Sequence, residues 1–442
     1  MRRSLINLAI HYKIVVVGGG TGGCAVSNRF RKLVSKGQIA IVEPNYEHFN
    51  QSAYTLVGGG LMSLVSCRRP MNSVLHPDKH KLDPTKIFRD GSEIKYDLLI
   101  IAVGLQLRYD MVEGLDEALK QPHVCSIYKS ELVGDVYHKL QKFSKGTAIF
   151  TLPSGPIKCS GAGQKICYLA DEIFKKVMIH YGIKIKNLIS LLILHFVSNG
   201  SELQKGVRNN IQLVYNTYLN DIFDVPKYAK ALNEVAKEKS IIVHLRRNLK
   251  IVDLIKKEAV FEILDTDAKA TGETDTQNVS FNFLHVAPPC SSTELLRNTK
   301  DITDANGFLD VDPRTLQSNN YGNIFGIGDC LGSPNKKTAA AVYSQMKALS
   351  INIPAFLKGK KLTGEYNLYS SCPLIVDFKR VVLAEFTPDG PLETLPFDQG
   401  RPLRSAFILK RYILPFLYWN FGVKGNWLGP SAIRKLLRFG KN

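Results

Sequence analysis

Two of the eight cysteines occupy positions suited to sulfur chemistry. Cys159 follows Lys158 in a turn rich in Gly, Ser and Pro, and Cys372 lies between Ser371 and Pro373. A neighbouring cation lowers the pKa of a thiol and increases the reactive thiolate fraction. The sequence therefore indicates Cys159 and Cys372 as candidate redox thiols and leaves open whether they meet. The remaining cysteines are predicted to be packing residues: Cys24, Cys67, Cys125, Cys167, Cys290 and Cys330.

A glycine-rich segment near the start could bind a dinucleotide. Gly18, Gly20 and Gly23 occupy the three glycine positions of GxGxxG, with Thr21 and Gly22 between them. The three glycines allow a tight turn, a close approach of the pyrophosphate, and close packing of helix on strand. Glu43, 20 residues past Gly23, can accept hydrogen bonds from ribose hydroxyls. NAD and FAD both satisfy this pattern, and an acid here favours a ribose without a 2′-phosphate.

Strands must position these residues. Tyr12–Val17 is a β-branched run typical of a buried parallel strand, and 38–42 supplies a second strand that ends at Glu43. Two later apolar runs, Asp97–Gly104 and Asn323–Cys330, end at Gly104 and next to Asp329. They resemble the return motifs of flavoproteins with two dinucleotide-binding domains.

That resemblance implies FAD, with Asp329 beside its ribityl chain. It also implies an FAD domain that is split in sequence, into residues 12–110 and 308–350.

A helix is predicted to begin after Asp329 at Lys337, Thr338, Ala339 and Ala340. An exposed helix N-terminus bears about half a positive charge, which would stabilise the anion of a reduced flavin. From the residues alone, an ordinary Ala-rich surface helix remains the alternative.

The predicted second domain, 111–307, departs from a nicotinamide site. A strand (147–152) and a helix (164–175) are predicted, but the turn between them is long, contains two prolines and carries Cys159. Proline lacks the N–H that would bind phosphate. This turn therefore disfavours a nicotinamide cofactor and favours a redox thiol.

Composition and charge restrict the remaining possibilities. The 442 residues are 45% hydrophobic and 22% charged, which excludes global disorder and a collagen-like chain. Residues 401–442 carry nine Lys and Arg and no acid, out of a net charge of +19. No run approaches the 18 to 20 or so apolar residues of a spanning helix. The chain has neither a CxxC pair nor a secretory signal, and it suggests no metal site.

The C-terminal region, 366–442, is predicted to carry Cys372 and helices that lie on a membrane surface. Residues 403–419 and 430–439 combine large apolar side chains with cations, as interfacial helices do near anionic lipid. Helices that cap the protein core are the alternative. A nucleic-acid partner is not expected, because apolar residues outnumber the cations.

The combined pattern resembles the mitochondrial-type sulfide:quinone oxidoreductases across nearly all of residues 12–440. The matching segments are GGGTGG (18–23), IVEP (41–44), HFNQ (48–51), IKCSG (157–161), FGIGDC (325–330), KTAA (337–340), SCPL (371–374) and FLYWN (416–420). The resemblance implies an α/β fold with two Rossmann-like domains and a C-terminal amphipathic region. It adds Gln51 to the cofactor-binding residues.

For function, the resemblance implies that Cys159 and Cys372 form a redox pair. Hydrosulfide attacks the sulfur on Cys372 and leaves a persulfide there, Cys159 passes two electrons to FAD, and FAD reduces ubiquinone. The sulfane sulfur goes to glutathione or sulfite. The implied location is the mitochondrial inner membrane, with peripheral or monotopic attachment, and Met1–Ala9 is too short for a complete transit peptide.

Two internal departures from the family are expected to matter. A strand of the FAD domain is expected to be missing between Val74 and Ile87, and an insertion is expected near 188–209. One alternative is a type II NADH:quinone dehydrogenase, which would need a second GxGxxG after Phe150. The missing strand motivates another, a flavin-deficient binding protein on the membrane surface.

Overall fold

The computed structural model describes residues 10–77, 80–82, 93–176, 206–272, 275–334 and 336–438. Met1–Ala9 and nearly all of the predicted insertion near 188–209 lie outside these ranges.

The first sheet is parallel and carries the glycine-rich loop at the end of its central strand. Its order is β17-β6-β1-β2-β5. The strands are β1 (Ile10–Val17), β2 (Ile39–Val42), β5 (His80–Leu82), β6 (Ile94–Ile101) and β17 (Ile324–Gly326). Val17 pairs with Val42 and with Ile101, so the carboxyl ends of β1, β2 and β6 lie side by side. Ligands of open parallel sheets bind outside these carboxyl ends.

The strand expected to be missing from this sheet is present, and that prediction is wrong. β5 pairs in parallel with β2, with His80 opposite Ala40 and Leu82 opposite Val42. It was missed because its three residues, His-Lys-Leu, lack the apolar, β-branched character of a buried strand. Backbone pairing at a sheet edge does not require that character.

The second sheet is also parallel, with the order β11-β10-β9-β15-β8. The strands are β8 (Val124–Cys125), β9 (Gly146–Leu152), β10 (Ile211–Thr217), β11 (Ile241–His244) and β15 (Phe283–His285). β9 corresponds to the strand predicted before the Cys159 turn. Beyond this turn, the helix Ala162–Lys176 packs on β9.

The other described strands form small antiparallel sheets and two-stranded ribbons. One sheet contains β12 (Arg247–Asp253), β13 (Glu258–Ile263) and β14 (Thr276–Ser280), and another contains β18 (Ser370–Ile375), β19 (Val381–Thr387) and β20 (Gly390–Pro391). Two ribbons pair β3 (Glu47–Phe49) with β4 (Arg68–Pro70) and β7 (Gln106–Leu107) with β16 (Cys290–Ser291). β18 carries Cys372, which lies opposite Ala384 of β19.

The described α-helices follow the strands in the usual α/β manner. They are α1 (Thr21–Phe30), α2 (Tyr54–Gly58), α3 (Met71–Val74), α4 (Leu115–Ala118), α5 (Ser130–Lys142), α6 (Ala162–Lys176), α7 (Pro226–Glu238), α8 (Glu294–Arg297), α9 (Ala339–Leu357), α10 (Arg404–Ile408), α11 (Leu414–Leu417) and α12 (Ser431–Leu437). π-Helical turns, Leu409–Ile413 and Tyr418–Gly422, adjoin α11. Among the described residues, no helix has the length and apolar character needed to cross a bilayer.

Candidate active site

One large cavity, of about 1230 Å³, brings the predicted site residues together. Its wall includes all of the predicted catalytic and cofactor-binding residues except Gly23: Gly18, Gly20, Thr21, Gly22, Glu43, Gln51, Gly104, Cys159, Asp329, Lys337, Thr338, Ala339, Ala340 and Cys372. Gly23 does not line the cavity, but it allows the glycine loop to pack closely. A Cβ there would lie 1.8 Å from the carbonyl oxygen of Gly18, so only glycine allows α1 to approach β1 this closely.

The loop between β1 and α1 has the shape of a phosphate-binding turn. Gly18 has a φ of +100°, in the region that favours glycine. At Gly20 and Gly104, by contrast, an added Cβ would meet nothing within 4 Å, so both backbones face open space in the cavity. Backbone N–H groups at the N-terminus of a helix attract anions.

Glu43 is buried beside this loop. Its Oε2 accepts a hydrogen bond from the Gly19 N–H at 2.6 Å, and its Oε1 accepts from the backbone N–H and the side-chain amide of Asn45, both at 2.7 Å. The carboxylate is therefore fixed at the end of β2, where a ribose would lie.

The cavity wall also contains the predicted helix start. Thr338 caps α9 by accepting a hydrogen bond from the Ala341 N–H at 3.2 Å. Burial raises the pKa of Asp329, while the nearby Lys337 ammonium partly opposes this rise. The Nζ of Lys337 donates to the carbonyl of Leu331 at 2.9 Å and lies over the ring of Phe308.

Cys159 and Cys372 meet, although they come from different parts of the fold. Both thiols are free, and they lie within hydrogen-bonding reach of each other. Cys372 is buried on β18, and Gly161 leaves space for it, because a Cβ at Gly161 would lie 2.8 Å from its sulfur. Cys159 is partly exposed.

The backbone of Cys159 adopts an unusual conformation. Its φ is +54°, which is left-handed and uncommon for a residue with a side chain. Its N–H donates to the carbonyl of Lys337 at 3.0 Å, and its carbonyl accepts from the hydroxyl of Tyr128 at 3.3 Å. These two bonds fix the turn that presents the sulfur to the cavity.

A buried lysine that was not singled out from the sequence contacts both sulfurs. The Nζ of Lys165, in the first turn of α6, lies 3.1 Å from the Sγ of Cys159 and 3.9 Å from that of Cys372. Burial disfavours its charge, but the two sulfurs outweigh this effect and raise the pKa of Lys165. The sequence could have indicated this lysine, because Lys165 lies at the start of the predicted helix 164–175, soon after Cys159.

The two thiols are electrostatically different. The hydrogen bond between them, together with the Lys165 ammonium, holds the pKa of Cys159 well below its ordinary value. The same hydrogen bond, together with burial, raises the pKa of Cys372. Cys159 is therefore the more acidic thiol of the pair.

A second buried cation, Lys410, comes from residues 404–425, the C-terminal segment. Its Nζ donates to the carbonyl of Ser52 at 3.0 Å. Burial lowers the pKa of Lys410 to about 8, and the Lys165 ammonium contributes to the decrease. From the sequence, Lys410 was one of several tail cations expected at a lipid surface, so its burial is a new finding.

Gln51, which was expected to bind the cofactor, contacts the turn that carries Cys159. The Oε1 of Gln51 accepts a hydrogen bond from the Nζ of Lys158 at 2.5 Å. Gln51 thus links the segment before α2 to the Cys159 turn.

The residues present fit FAD. The N-terminus of α1 faces the cavity with glycine backbone that a pyrophosphate could approach, Glu43 can meet a ribose, and the capped N-terminus of α9 supplies positive potential. The cavity also extends from this loop to the two sulfurs, which gives space for a long cofactor. Bound there, FAD would accept electrons beside the thiol pair.

No protein-family model matches the sequence, but individual relatives cover it almost completely. The chain is 38% identical to the mitochondrial sulfide:quinone oxidoreductase of Mus musculus, over 98% of this chain and 91% of that protein. It is 33% identical to the mitochondrial sulfide:quinone oxidoreductase of Schizosaccharomyces pombe, over 96% and 92%. The solved structure of the Aquifex aeolicus sulfide:quinone oxidoreductase superposes with a TM-score of 0.69 at 19% identity, over 98% of this chain and 96% of that one.

These relatives confirm the predicted α/β fold with Rossmann-like domains, the oxidoreductase class and FAD as the cofactor. The chain belongs to the family of mitochondrial sulfide:quinone oxidoreductases, flavoproteins that oxidise sulfide and reduce a quinone.

Proposed function

We propose that this protein oxidises hydrosulfide at the Cys159–Cys372 pair, transfers the sulfane sulfur to glutathione or sulfite, and reduces ubiquinone at the mitochondrial inner membrane. The observation that carries the proposal is the position of both sulfurs against the Lys165 ammonium, in the cavity that also contains the glycine loop. A thiolate leaving group is stabilised by such a cation.

The reaction begins from the oxidised pair, a Cys159–Cys372 disulfide. Hydrosulfide attacks the Sγ of Cys372, a new S–S bond forms there, and the old S–S bond breaks. Cys372 then carries the persulfide and Cys159 leaves as a thiolate beside Lys165. Cys159 is suited to leave because its pKa is the lower of the two.

FAD supplies the acceptor for the two electrons that the sulfide loses, and these electrons then reduce the quinone. The chain's part is to hold Cys159 at the cavity wall through its backbone bond to Lys337. An acceptor nucleophile, the thiolate of glutathione or sulfite, takes the outer sulfur from Cys372. The Cys372 thiolate is then available to re-form the disulfide as the electron pair leaves.

Ubiquinone requires access from a bilayer, and the C-terminal segment supports such access. Ile408, Tyr412 and Phe416 are 52%, 61% and 59% exposed, and Arg411 lies beside them. Leu414 and Leu417 of the same segment line the cavity. Apolar side chains in the acyl region, with cations near anionic headgroups, are typical of interfacial attachment.

The experiment is an anaerobic titration of the purified holoenzyme. Sulfide should bleach the visible flavin spectrum, and a soluble ubiquinone analogue should restore it. Cys159→Ser and Cys372→Ser should retain FAD but lose at least a thousandfold in the rate of bleaching. Cys125→Ala removes a buried cysteine that does not line the cavity and should behave as the wild type.

Normal bleaching by sulfide in either serine variant would exclude the cysteine pair as the site. Bleaching by NADH in place of sulfide would instead favour the type II dehydrogenase. To identify the sulfur acceptor, turnover is compared with glutathione, with sulfite and with neither.

A further inference from the structure

The C-terminal segment does more than face the lipid, because part of it lies on the glycine loop. Tyr418 begins the second π-helical turn and is buried, unlike Tyr412 in the same segment. Its hydroxyl lies 2.9 Å from the Oγ1 of Thr21 and 2.8 Å from the Nε2 of His48. Thr21 is the first residue of α1.

The direction of each hydrogen bond in this group follows from its partners. The Nδ1 of His48 lies 3.1 Å from the carbonyl oxygen of Gly19, which can only accept, so Nδ1 carries the proton and donates. Burial lowers the pKa of His48, which favours the neutral ring, so Nε2 is an acceptor for the Tyr418 hydroxyl at 2.8 Å. The other acceptor of this hydroxyl, the carbonyl of Phe49, is farther away at 3.4 Å. The Tyr418 oxygen can then accept from the hydroxyl of Thr21.

The bonds therefore run from Thr21 through Tyr418 and His48 to Gly19, and both ends lie in the glycine loop. Gly19 is held from the other side by Glu43, which accepts its N–H. The loop is thus fixed by three buried side chains, Glu43, His48 and Tyr418, and the last of these comes from the C-terminal segment.

The backbone around Tyr418 is attached to α1 as well. The side-chain amide of Asn28 donates to the carbonyl of Val423 at 2.7 Å. A Cβ at Gly425 would lie 2.4 Å from the carbonyl oxygen of Ala25, so the segment packs directly on the helix backbone. Lys424 donates to the carbonyls of Ser73 and Val74. The segment cannot leave without breaking these bonds.

We propose that Tyr418 is a positioning residue for the FAD phosphate loop, so that retention of FAD depends on the C-terminal segment through the Thr21–Tyr418–His48–Gly19 hydrogen bonds. The inference rests on the proposed placement of the FAD pyrophosphate at this loop. Tyr418 itself acts through Thr21 and His48, which hold the loop backbone in its binding conformation.

The test measures the rate at which the holoenzyme releases FAD after dilution, by the fluorescence of the freed flavin. Tyr418→Phe keeps the ring and removes the hydroxyl with its bonds to Thr21 and His48, so it should release FAD at least about threefold faster, the lower end of the range for neutral hydrogen bonds. Tyr321→Phe, at an exposed tyrosine elsewhere, should release FAD at the wild-type rate.

A double-mutant cycle separates positioning from a general loss of packing. Thr21→Val and Tyr418→Phe remove the two ends of one hydrogen bond, so their effects on FAD release should be clearly less than additive. Additive effects, or a wild-type rate in Tyr418→Phe, would overturn the inference. Glu43→Ala tells failure of the proposed FAD placement from failure of the Tyr418 role. If Glu43→Ala leaves FAD release unchanged, the proposed placement of FAD at this loop is wrong. If Glu43→Ala releases FAD faster but Tyr418→Phe does not, only the role of Tyr418 is rejected.

Discussion

The backbone N–H of Cys159 donates a 3.0 Å hydrogen bond to the carbonyl oxygen of Lys337. Lys337 immediately precedes Thr338, the N-cap of α9, so this bond joins the thiol turn to the helix whose N-terminus lines the cavity. Because it involves only main-chain atoms, it does not depend on the side chain at position 159. A serine at Cys159 should therefore leave the geometry of the turn intact and remove only the sulfur.

Lys165→Met should raise the pKa of Cys159, because it removes the ammonium that stabilises the thiolate. In the reduced protein, alkylation of Cys159 by iodoacetamide at pH 6 should become at least tenfold slower. Mass spectrometry of the peptide that contains Cys159 measures this rate. Lys176→Met, at the exposed end of the same helix, serves as the control and should leave the rate unchanged. Equal rates in Lys165→Met and wild type would show that Lys165 does not activate the thiol.

Lys410→Met should stabilise the folded protein at neutral pH. Burial lowers the folded-state pKa of Lys410 to about 8 from 10.5, so its ammonium is disfavoured in the folded state. At about 1.4 kcal/mol per pKa unit, this cost is about 3 kcal/mol below pH 8, and it disappears as pH rises through 10.5. Loss of the hydrogen bond to Ser52 destabilises the variant by about 1 kcal/mol, so the free energy of unfolding should rise by about 2 kcal/mol in total.

Urea unfolding at pH 7 and at pH 10.5 measures this effect. The advantage of Lys410→Met over wild type should be present at pH 7 and lost at pH 10.5, whereas Lys435→Met, at an exposed lysine of α12, should show neither change. An advantage that persists unchanged to pH 10.5 would contradict the assignment of the buried charge to Lys410.

Glu43→Ala should weaken FAD binding by about ten- to a hundredfold, the range for a hydrogen bond to a charged acceptor. The substitution also frees the N–H of Gly19, which loosens the glycine loop. Equilibrium dialysis of the protein against FAD measures the dissociation constant. Glu117→Ala, at an exposed acid with a 70% exposed side chain, is the matched control.

Tyr412→Ser combined with Phe416→Ser should reduce adsorption to lipid vesicles at least tenfold, because the two substitutions remove exposed aromatic rings from one segment. Co-sedimentation with vesicles that contain an anionic lipid measures adsorption. Ile255→Ser, at a 96% exposed residue on a different part of the protein, should adsorb as the wild type does. Full adsorption of the double variant would place the lipid contact elsewhere.

Much of the fold could be predicted from the sequence because its signals are local. β1, the glycine loop and α1 are consecutive in the chain, and the β-branched run of β1 matches a strand buried on both faces. The N-cap Thr338 could be predicted for the same reason, because it directly precedes the Ala-rich start of α9. β5 was missed because a short edge strand is specified by backbone pairing with β2, which leaves little trace in its own three residues.

The site contacts that could not be predicted join residues far apart in the chain. Lys165 and Cys372 are separated by 207 positions, and Thr21 and Tyr418 by 397. No periodicity or composition reports such a pair, because the contact exists only after several elements have packed. The burial of Lys410 is a similar case: its neighbours in sequence are those of an interfacial helix, and only the fold turns its side chain inward.

The left-handed backbone of Cys159 means that its sulfur is held at a cost in stability. A side chain in this conformation costs about 1 kcal/mol or more relative to glycine. Replacement by glycine would relieve this backbone strain and remove the thiol, so the residue that best suits the turn is not the one that suits the proposed chemistry.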